Sequence, residues 1–177
     1  YCNWLSRVEG LPECYELKEQ GEYSAGMRLK GDYLDHLGYR LPTEPEWEYA
    51  CRAGATTAFS FGVDQAYLGF YAVYAAASQG HPSSVAARKP NDFGLFDMHG
   101  NVSEWCQDRW LTQTTSEDIS SVGQPEYGLP ILDTDARVLR GGSFSAPAQM
   151  VDCVARNKLH PHQRRNTTGF RVARSYP

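Results

Sequence analysis

The pattern of hydrophobic and polar positions changes its period several times along the chain. Trp4, Leu5 and Val8 are spaced as on one face of a helix, which predicts the end of an amphipathic helix over residues 1–8. Elsewhere, short alternating runs predict strands. These runs lie around residues 15–17 and 27–29, and in VSEWCQDRW, RVLRGGSFS, VDCVARN and GFRVARSY. Few helices and many short strands predict an α+β domain with short antiparallel strands and much ordered loop.

The segment TEPEWEYACRAG carries the clearest helix signal. Thr43 followed by Glu46 is a capping box, which predicts that a helix begins at Glu44. Gly54 predicts its end, because glycine readily adopts the left-handed conformation that closes a helix. The buried stripe of this helix is predicted to consist of Trp47, Ala50 and Cys51.

Two further stretches carry weaker predictions. Residues 55–92 contain glycine, serine, alanine and aromatic residues without lasting periodicity, so we predict a brief strand or turn there and no helix. In VSEWCQDRW, alternation predicts a strand with Val102, Glu104 and Cys106 on the outer face, opposite Trp105.

Length and charge limit the classes of function. A chain of 177 residues suffices for a single domain with a sizeable core, which we place over residues 1–177. Its net charge of -4 argues against a nucleic-acid partner. No apolar run approaches the roughly 20 residues of a membrane span. The chain opens on Tyr1 rather than Met, so we expect an N-terminal part to be missing, and localisation stays open.

The cysteines and histidines show no metal-binding spacing. Five cysteines is an odd number, so at least one cannot pair within the chain, and none forms a C-x-x-C. That argues against zinc and against a thioredoxin-like redox pair. Histidines scattered through a polar chain favour surface positions over metal ligands. They are His36, His81, His99, His160 and His162.

The stretch DFGLFDMHGNVSEWCQDRW places two carboxylates on either side of a glycine turn. Asp97 and Glu104 can supply carboxylate oxygens, and the carbonyls of the turn over 100–102 can point between them. Calcium prefers such a set of oxygen ligands. A hydrogen-bonded Asx turn, with Glu104 capping a strand, explains the same spacing, so the spacing alone leaves both interpretations open.

Four motifs in this order resemble the formylglycine-generating enzyme, or sulfatase-modifying factor, family. They are YRLPTEPEWEYACRAG, PNDFGLFDMHGNVSEWCQDRW, RVLRGGSFS and GFRVAR. The resemblance extends over nearly the whole chain, which looks like the C-terminal two thirds of a family domain. It implies a C-type-lectin-like variant fold with little regular secondary structure and with bound calcium.

The resemblance also implies particular site residues. The calcium ligands would be the side chains of Asp97 and Glu104 and the carbonyls of Gly100 and Val102. Cys51 and Cys153 match the two cysteines of a family disulfide. In the substrate groove, the positions to consider are Ser103, which replaces an aromatic residue of the family, Ser143, which is retained, and Arg156.

The departures from the family pattern concern the chemistry. Active members oxidise a cysteine of a sulfatase peptide with copper(I) held by two thiolates, and soft thiolates suit that ion. The matching positions are Ala146 and Val151, so we expect calcium but no copper, and we assign no catalytic residue.

Three functions remain open. The first is a non-catalytic, calcium-stabilised binding domain for a protein or peptide ligand, for example as part of a kinase. The second is a metal-dependent oxidase with a different metal site. The third is a diversified C-type-lectin protein that displays the segment 144–168 as a variable surface. The missing thiolates favour the first and third, and whether the chain is an enzyme stays open.

Overall fold

The computed structural model describes residues 1–17, 25–111 and 129–176. Within them lie three α-helices and eight short strands, joined by long ordered loops. The helices are α1 (Cys2–Val8), α2 (Glu44–Arg52) and α3 (Leu68–Tyr71). The strands are β1 (Tyr15–Glu16), β2 (Arg28–Leu29), β3 (Ala72–Val73), β4 (His99–Gly100), β5 (Ser103–Arg109), β6 (Arg137–Arg140), β7 (Arg156–Leu159) and β8 (Thr168–Gly169). The architecture is α+β, as predicted.

The largest sheet has four strands in the order β7-β6-β5-β8. Its central pair is antiparallel, with Glu104 opposite Arg140, and β6 pairs with β7 in the same sense. The pairing of β5 with β8 is parallel, as is the separate pairing of β3 with β4. The strands are therefore short, as predicted, but not all antiparallel. None of the described helices is long and apolar enough to cross a membrane.

Helix α2 begins as the sequence predicts. The Thr43 side chain accepts a hydrogen bond from the Glu46 amide, and the Glu46 carboxylate accepts one from the Thr43 amide. Trp47 and Cys51 are buried. The left-handed residue at its end is Ala53, with φ of 48°, so the helix stops one residue before the predicted Gly54.

Within the described residues, the hydrophobic core is divided among three clusters. The first joins α2 to the sheet and contains Trp47, Cys51, Met98, Cys106, Val138 and Cys153. The second packs α1 against β1 and β2 and contains Cys2, Cys14, Tyr15, Leu29 and Tyr33. The third contains Phe59, Leu68, Ala72 and Val151. Because the elements are short, loop residues supply a large part of each cluster.

Helix α1 and strand β5 were each predicted, but with the wrong buried face. Trp4 and Val8 of α1 are exposed, and the side chains of smaller residues face inward. On β5, Glu104 and Cys106 are buried rather than outward-facing. Both faces of β5 are covered, so the alternation of residue types there does not report which side meets solvent.

Three other local predictions need correction. A helical turn, α3, occurs within 55–92, where no helix was predicted. The segment after the glycine pair of RVLRGGSFS is a turn and not a strand. The last two strands are displaced, since β7 begins at Arg156 and β8 ends at Gly169, before most of GFRVARSY.

Candidate functional site

A polar cleft with a volume of about 260 Å³ opens beside β6 and β7. Ser103, Ser143 and Arg156 all line it, so the fold brings together the three residues assigned to a groove. Ala146 lines the same cleft. Most of the remaining wall comes from the segment 144–168, including the small residues that follow Ser143.

The glycine pair before Ser143 explains how this wall is built. Gly142 has a φ of 67°, and a Cβ at that position would lie 2.2 Å from the Met150 carbonyl oxygen. Only glycine lets the two backbones approach so closely. The turn then places the Ser143 hydroxyl 3.1 Å from that of Ser145 at the cleft wall.

The cleft carries positive charge. Arg156, Lys158 and Arg165 line it, and the described lining residues include no acidic side chain and no cysteine. Arg156 is already paired, because its Nη2 donates to Oε2 of Glu44 at 2.7 Å. Its guanidinium also lies over the Trp110 ring at 4.9 Å. The charge left for a ligand therefore comes from Lys158 and Arg165.

Ala146 and Val151, the two positions that match the copper cysteines, belong to the same part of the core. Val151 is fully buried and packs with Phe59 and Leu68 in the third core cluster. Ala146 packs against that cluster and also borders the cleft. The cleft wall therefore carries an aliphatic group at Ala146, while Val151 is buried in the core and does not line the cleft.

Glu104, a predicted calcium ligand, is held by two donors. Arg171 donates from Nε to Oε2 at 2.5 Å and from Nη2 to Oε1 at 2.7 Å. The Trp47 indole N–H donates to Oε2 at 2.6 Å. A carboxylate has about four lone-pair positions. Three are occupied here, so a cation could share one remaining position, on Oε1.

The other predicted calcium ligands lie in a strained turn. Asp97 has a φ of 59°, and its Oδ2 accepts a hydrogen bond from the Ala86 amide at 2.8 Å. Gly100 also has positive φ, and a Cβ there would lie 2.2 Å from the Val73 carbonyl oxygen. Asp97 and Glu104 both raise the pKa of Arg171 against the opposing effect of burial. The donor types therefore fit calcium, but Arg171 competes for Glu104.

Cys51 and Cys153 lie together in the core. Their Sγ atoms are 3.6 Å apart, and both residues are thiols. Cys51 donates its hydrogen to Cys153, which raises the pKa of Cys51 and lowers that of Cys153. The fold thus places the predicted disulfide partners side by side, and the disulfide itself stays a prediction.

His99 lies beside this thiol pair, although the spacing of the histidines predicted a surface position. Its Nδ1 is 4.0 Å from Sγ of Cys51 and donates to the Val151 carbonyl at 2.8 Å. Its Nε2 accepts from the Ser60 amide at 3.3 Å. Burial lowers its pKa, so the ring is neutral. The prediction of a surface histidine is wrong here, and only the position of His99 inside the DMHGN motif hinted at a buried role.

Comparison with known proteins decides the family. The model of the sulfatase-modifying factor enzyme 1-like domain matches residues 1–176. The chain belongs to this family. The resemblance of its four motifs is thereby confirmed.

Relatives of this sulfatase-modifying factor domain include proteins with different names. It is 32% identical over 149 residues to the serine/threonine-protein kinase pkn1 of Chlamydia pneumoniae, covering 81% of this chain and 22% of the kinase. It is 33% identical over 156 residues to the formylglycine-generating enzyme of Streptomyces coelicolor, covering 80% of this chain and 48% of the enzyme. The chain therefore spans less than half the length of these relatives.

A solved structure shows the same fold. Treponema denticola variable protein 1 superposes with a TM-score of 0.80 at 31% sequence identity, covering 99% of this chain and 66% of that protein. The sulfatase-modifying factor domain described here is thus an α+β fold of this family with a cationic cleft.

Proposed function

We propose that this chain is a non-catalytic, calcium-stabilised binding domain whose cleft takes an acidic segment of a protein or peptide ligand. The observation that carries the proposal is the composition of the cleft. The two positions that match the family's copper cysteines are Ala146, in the cleft wall, and the buried Val151, and neither is a thiolate; cationic side chains line the wall without acidic ones. A soft monovalent ion has no ligand of its kind there.

The charges of the cleft favour an anionic ligand. Glu44 neutralises Arg156 and holds it against Trp110, so Arg156 serves as a fixed part of the wall. Lys158 and Arg165 are free of such carboxylate pairing among the described residues, and they attract carboxylates of a ligand. Ser103 and Ser143 supply hydroxyls that accept or donate hydrogen bonds, which orients a bound peptide backbone.

The relatives are compatible with such a role. The Chlamydia pneumoniae protein is named as a kinase, and this chain matches 22% of its length. A binding domain joined to a kinase would select the kinase's targets rather than perform chemistry. We propose calcium as the stabilising ion because Asp97 and Glu104 flank the turn that leads into β5, one of the two central strands of the sheet.

A ligand-display protein is the second candidate function. The segment 144–168 supplies most of the cleft wall, and the fold is similar to that of Treponema denticola variable protein 1. Display and binding use the same cleft, so the experiment below tests the ligand of both, and an assay of peptide oxidation separates either from the oxidase.

The test uses peptides on an array in which each acidic sequence is paired with its Asn/Gln counterpart. We expect the domain to prefer the acidic member of the pairs, with binding weakened at high salt. Arg165→Glu should abolish that preference. Arg164→Glu is the matched control, because Arg164 is an exposed neighbour outside the cleft lining. Equal binding to both members of each pair, or equal effects of the two variants, would remove the basis for the acidic ligand.

A further inference from the structure

Three metal-ligating side chains meet in the core, away from the cleft and from the calcium turn. Cys51, His99 and Cys153 are all buried, and their ligand atoms lie within 4.8 Å of one another. They come from α2, from β4 and from the loop before β7, so the tertiary fold assembles the group. We propose that in the reduced chain these three residues bind a zinc ion.

The spacing of the sulfur atoms suits zinc. Two thiolates at a Zn–S distance of about 2.3 Å in a tetrahedral site are about 3.8 Å apart. The two Sγ atoms here are 3.6 Å apart, and Nδ1 of His99 is 4.0 Å from Sγ of Cys51. The Met98 carbonyl oxygen lies 3.6 Å from Sγ of Cys51, close to the position proposed for the zinc ion. Binding therefore needs small side-chain adjustments rather than a rearranged backbone.

The charge balance also favours a divalent ion. Zinc binding releases one proton from each thiol, so two thiolates and a neutral imidazole surround Zn²⁺ with no net charge. A neutral complex avoids the cost of burying an isolated ion. Copper(I) with the same ligands would leave a net negative charge. One cation lies near the group: the Arg140 guanidinium donates from Nη2 to the Cys153 carbonyl at 2.7 Å.

The imidazole can change tautomer to suit the ion. Coordination through Nδ1 moves the ring proton to Nε2, where the Ser60 hydroxyl oxygen at 3.0 Å can accept it. The hydrogen bonds from Nδ1 to the Val151 carbonyl and from the Ser60 amide to Nε2 are lost in exchange. A hydrogen bond on the far ring nitrogen is the usual support of a metal-binding histidine. Oxidation to a disulfide would remove both thiolates, so zinc binding belongs to the reduced chain.

The test uses cobalt(II) as a coloured substitute for zinc. The chain is kept under argon with a reductant, its free thiols are verified by alkylation and mass spectrometry, and it is refolded with CoCl₂ because the site is buried. We expect a thiolate-to-cobalt charge-transfer band and the intense visible bands of a tetrahedral ion, both removed stoichiometrically by zinc. Wild-type protein that refolds without these bands would overturn the proposal.

Variants locate the ligands. Cys51→Ser and Cys153→Ser should each weaken the charge-transfer band, and His99→Gln should shift the visible bands. Cys106→Ser is the matched control, because Cys106 is buried in the same core cluster outside the group. Bands that survive both serine variants, or that Cys106→Ser removes equally, would assign the metal elsewhere. Circular dichroism confirms folding, and the wild-type spectrum decides the matter if a variant does not fold.

Discussion

Arg171 and Glu104 form a two-pronged ion pair between residues 67 positions apart, with Nε–Oε2 at 2.5 Å and Nη2–Oε1 at 2.7 Å. The same carboxylate accepts the indole N–H of Trp47 at 2.6 Å. One side chain of the central strand thus ties helix α2 to the C-terminal segment. The helices and strands of this fold are short. Polar links such as this one therefore supply part of the stabilisation that longer elements give to other folds.

Removing Arg171 should therefore destabilise the domain. Arg171→Ala leaves a largely buried carboxylate with only the indole as partner, and we expect a loss of about 3 kcal/mol in the free energy of unfolding. Arg171→Lys should lose less, because it keeps the charge but not the planar fork. Urea unfolding measures both. Arg174→Ala is the control, an exposed arginine close by in the chain; an effect as large as that of Arg171→Ala would contradict the role of the pair.

Calcium should stabilise the wild-type chain through Asp97. In the oxidised chain, where the thiol pair is not available to zinc, chelation is expected to lower the melting temperature, and added calcium should restore it. Asp97→Asn should abolish the response without touching the Arg171–Glu104 pair, which Glu104→Ala would break. Asp92→Asn, an exposed aspartate of the same segment, should respond as the wild type does. A melting temperature of Asp97→Asn that still follows calcium would refute the ligand assignment.

The lowered pKa of Glu46 predicts how the stability of the domain depends on pH. Burial alone would raise its pKa, but hydrogen bonds from Arg40 and Thr43 outweigh burial and hold the pKa below its ordinary value of 4.5. The folded state thus favours the ionised carboxylate. The resulting stabilisation is present above the pKa of the unfolded chain and is lost as pH falls through the folded-state pKa.

Glu46→Gln tests this dependence. Glutamine can keep the capping-box hydrogen bond but not the charge facing Arg40. We expect a cost of about 1 kcal/mol at neutral pH, because the partly exposed carboxylate is screened by solvent, and a difference that vanishes in acid. Urea unfolding between neutral and acidic pH measures it. Glu16→Gln, which changes the exposed carboxylate on β1, is the control. If the stability difference between wild type and Glu46→Gln stays constant with pH, the mechanism is wrong.

The parts predictable from sequence are those with a local cause. The capping box of Thr43 and Glu46 fixes the start of α2, because its partners are three residues apart. The two glycines before Ser143 likewise predict a tight turn. The motifs shared with the family identify the groove residues. His99 could not be found this way. It is buried beside Cys51 and Cys153, which approach only once α2 packs on the sheet.

The last prediction concerns catalysis by copper(I). The unmodified chain should leave the cysteine of a Cys-x-Pro-x-Arg peptide unchanged, with or without added copper(I), because Ala146 and Val151 offer no thiolate. The structure also identifies a variant that is expected to gain copper(I) binding. Ala146 packs against the core cluster that contains Val151, so cysteines at both positions would put one sulfur atom at the cleft wall and one in the adjoining cluster.

Ala146→Cys combined with Val151→Cys should therefore raise copper(I) affinity, measured by competition with a colorimetric chelator. Ala146→Cys alone is the control and should gain much less, since a single thiolate gives no two-sulfur site. Turnover need not follow, because Ser103 replaces the aromatic residue of the family groove. Mass loss at the peptide cysteine with the unmodified chain would overturn the non-catalytic proposal in favour of the oxidase. An unchanged copper affinity of the double variant would instead show that the two positions do not match the family's copper pair.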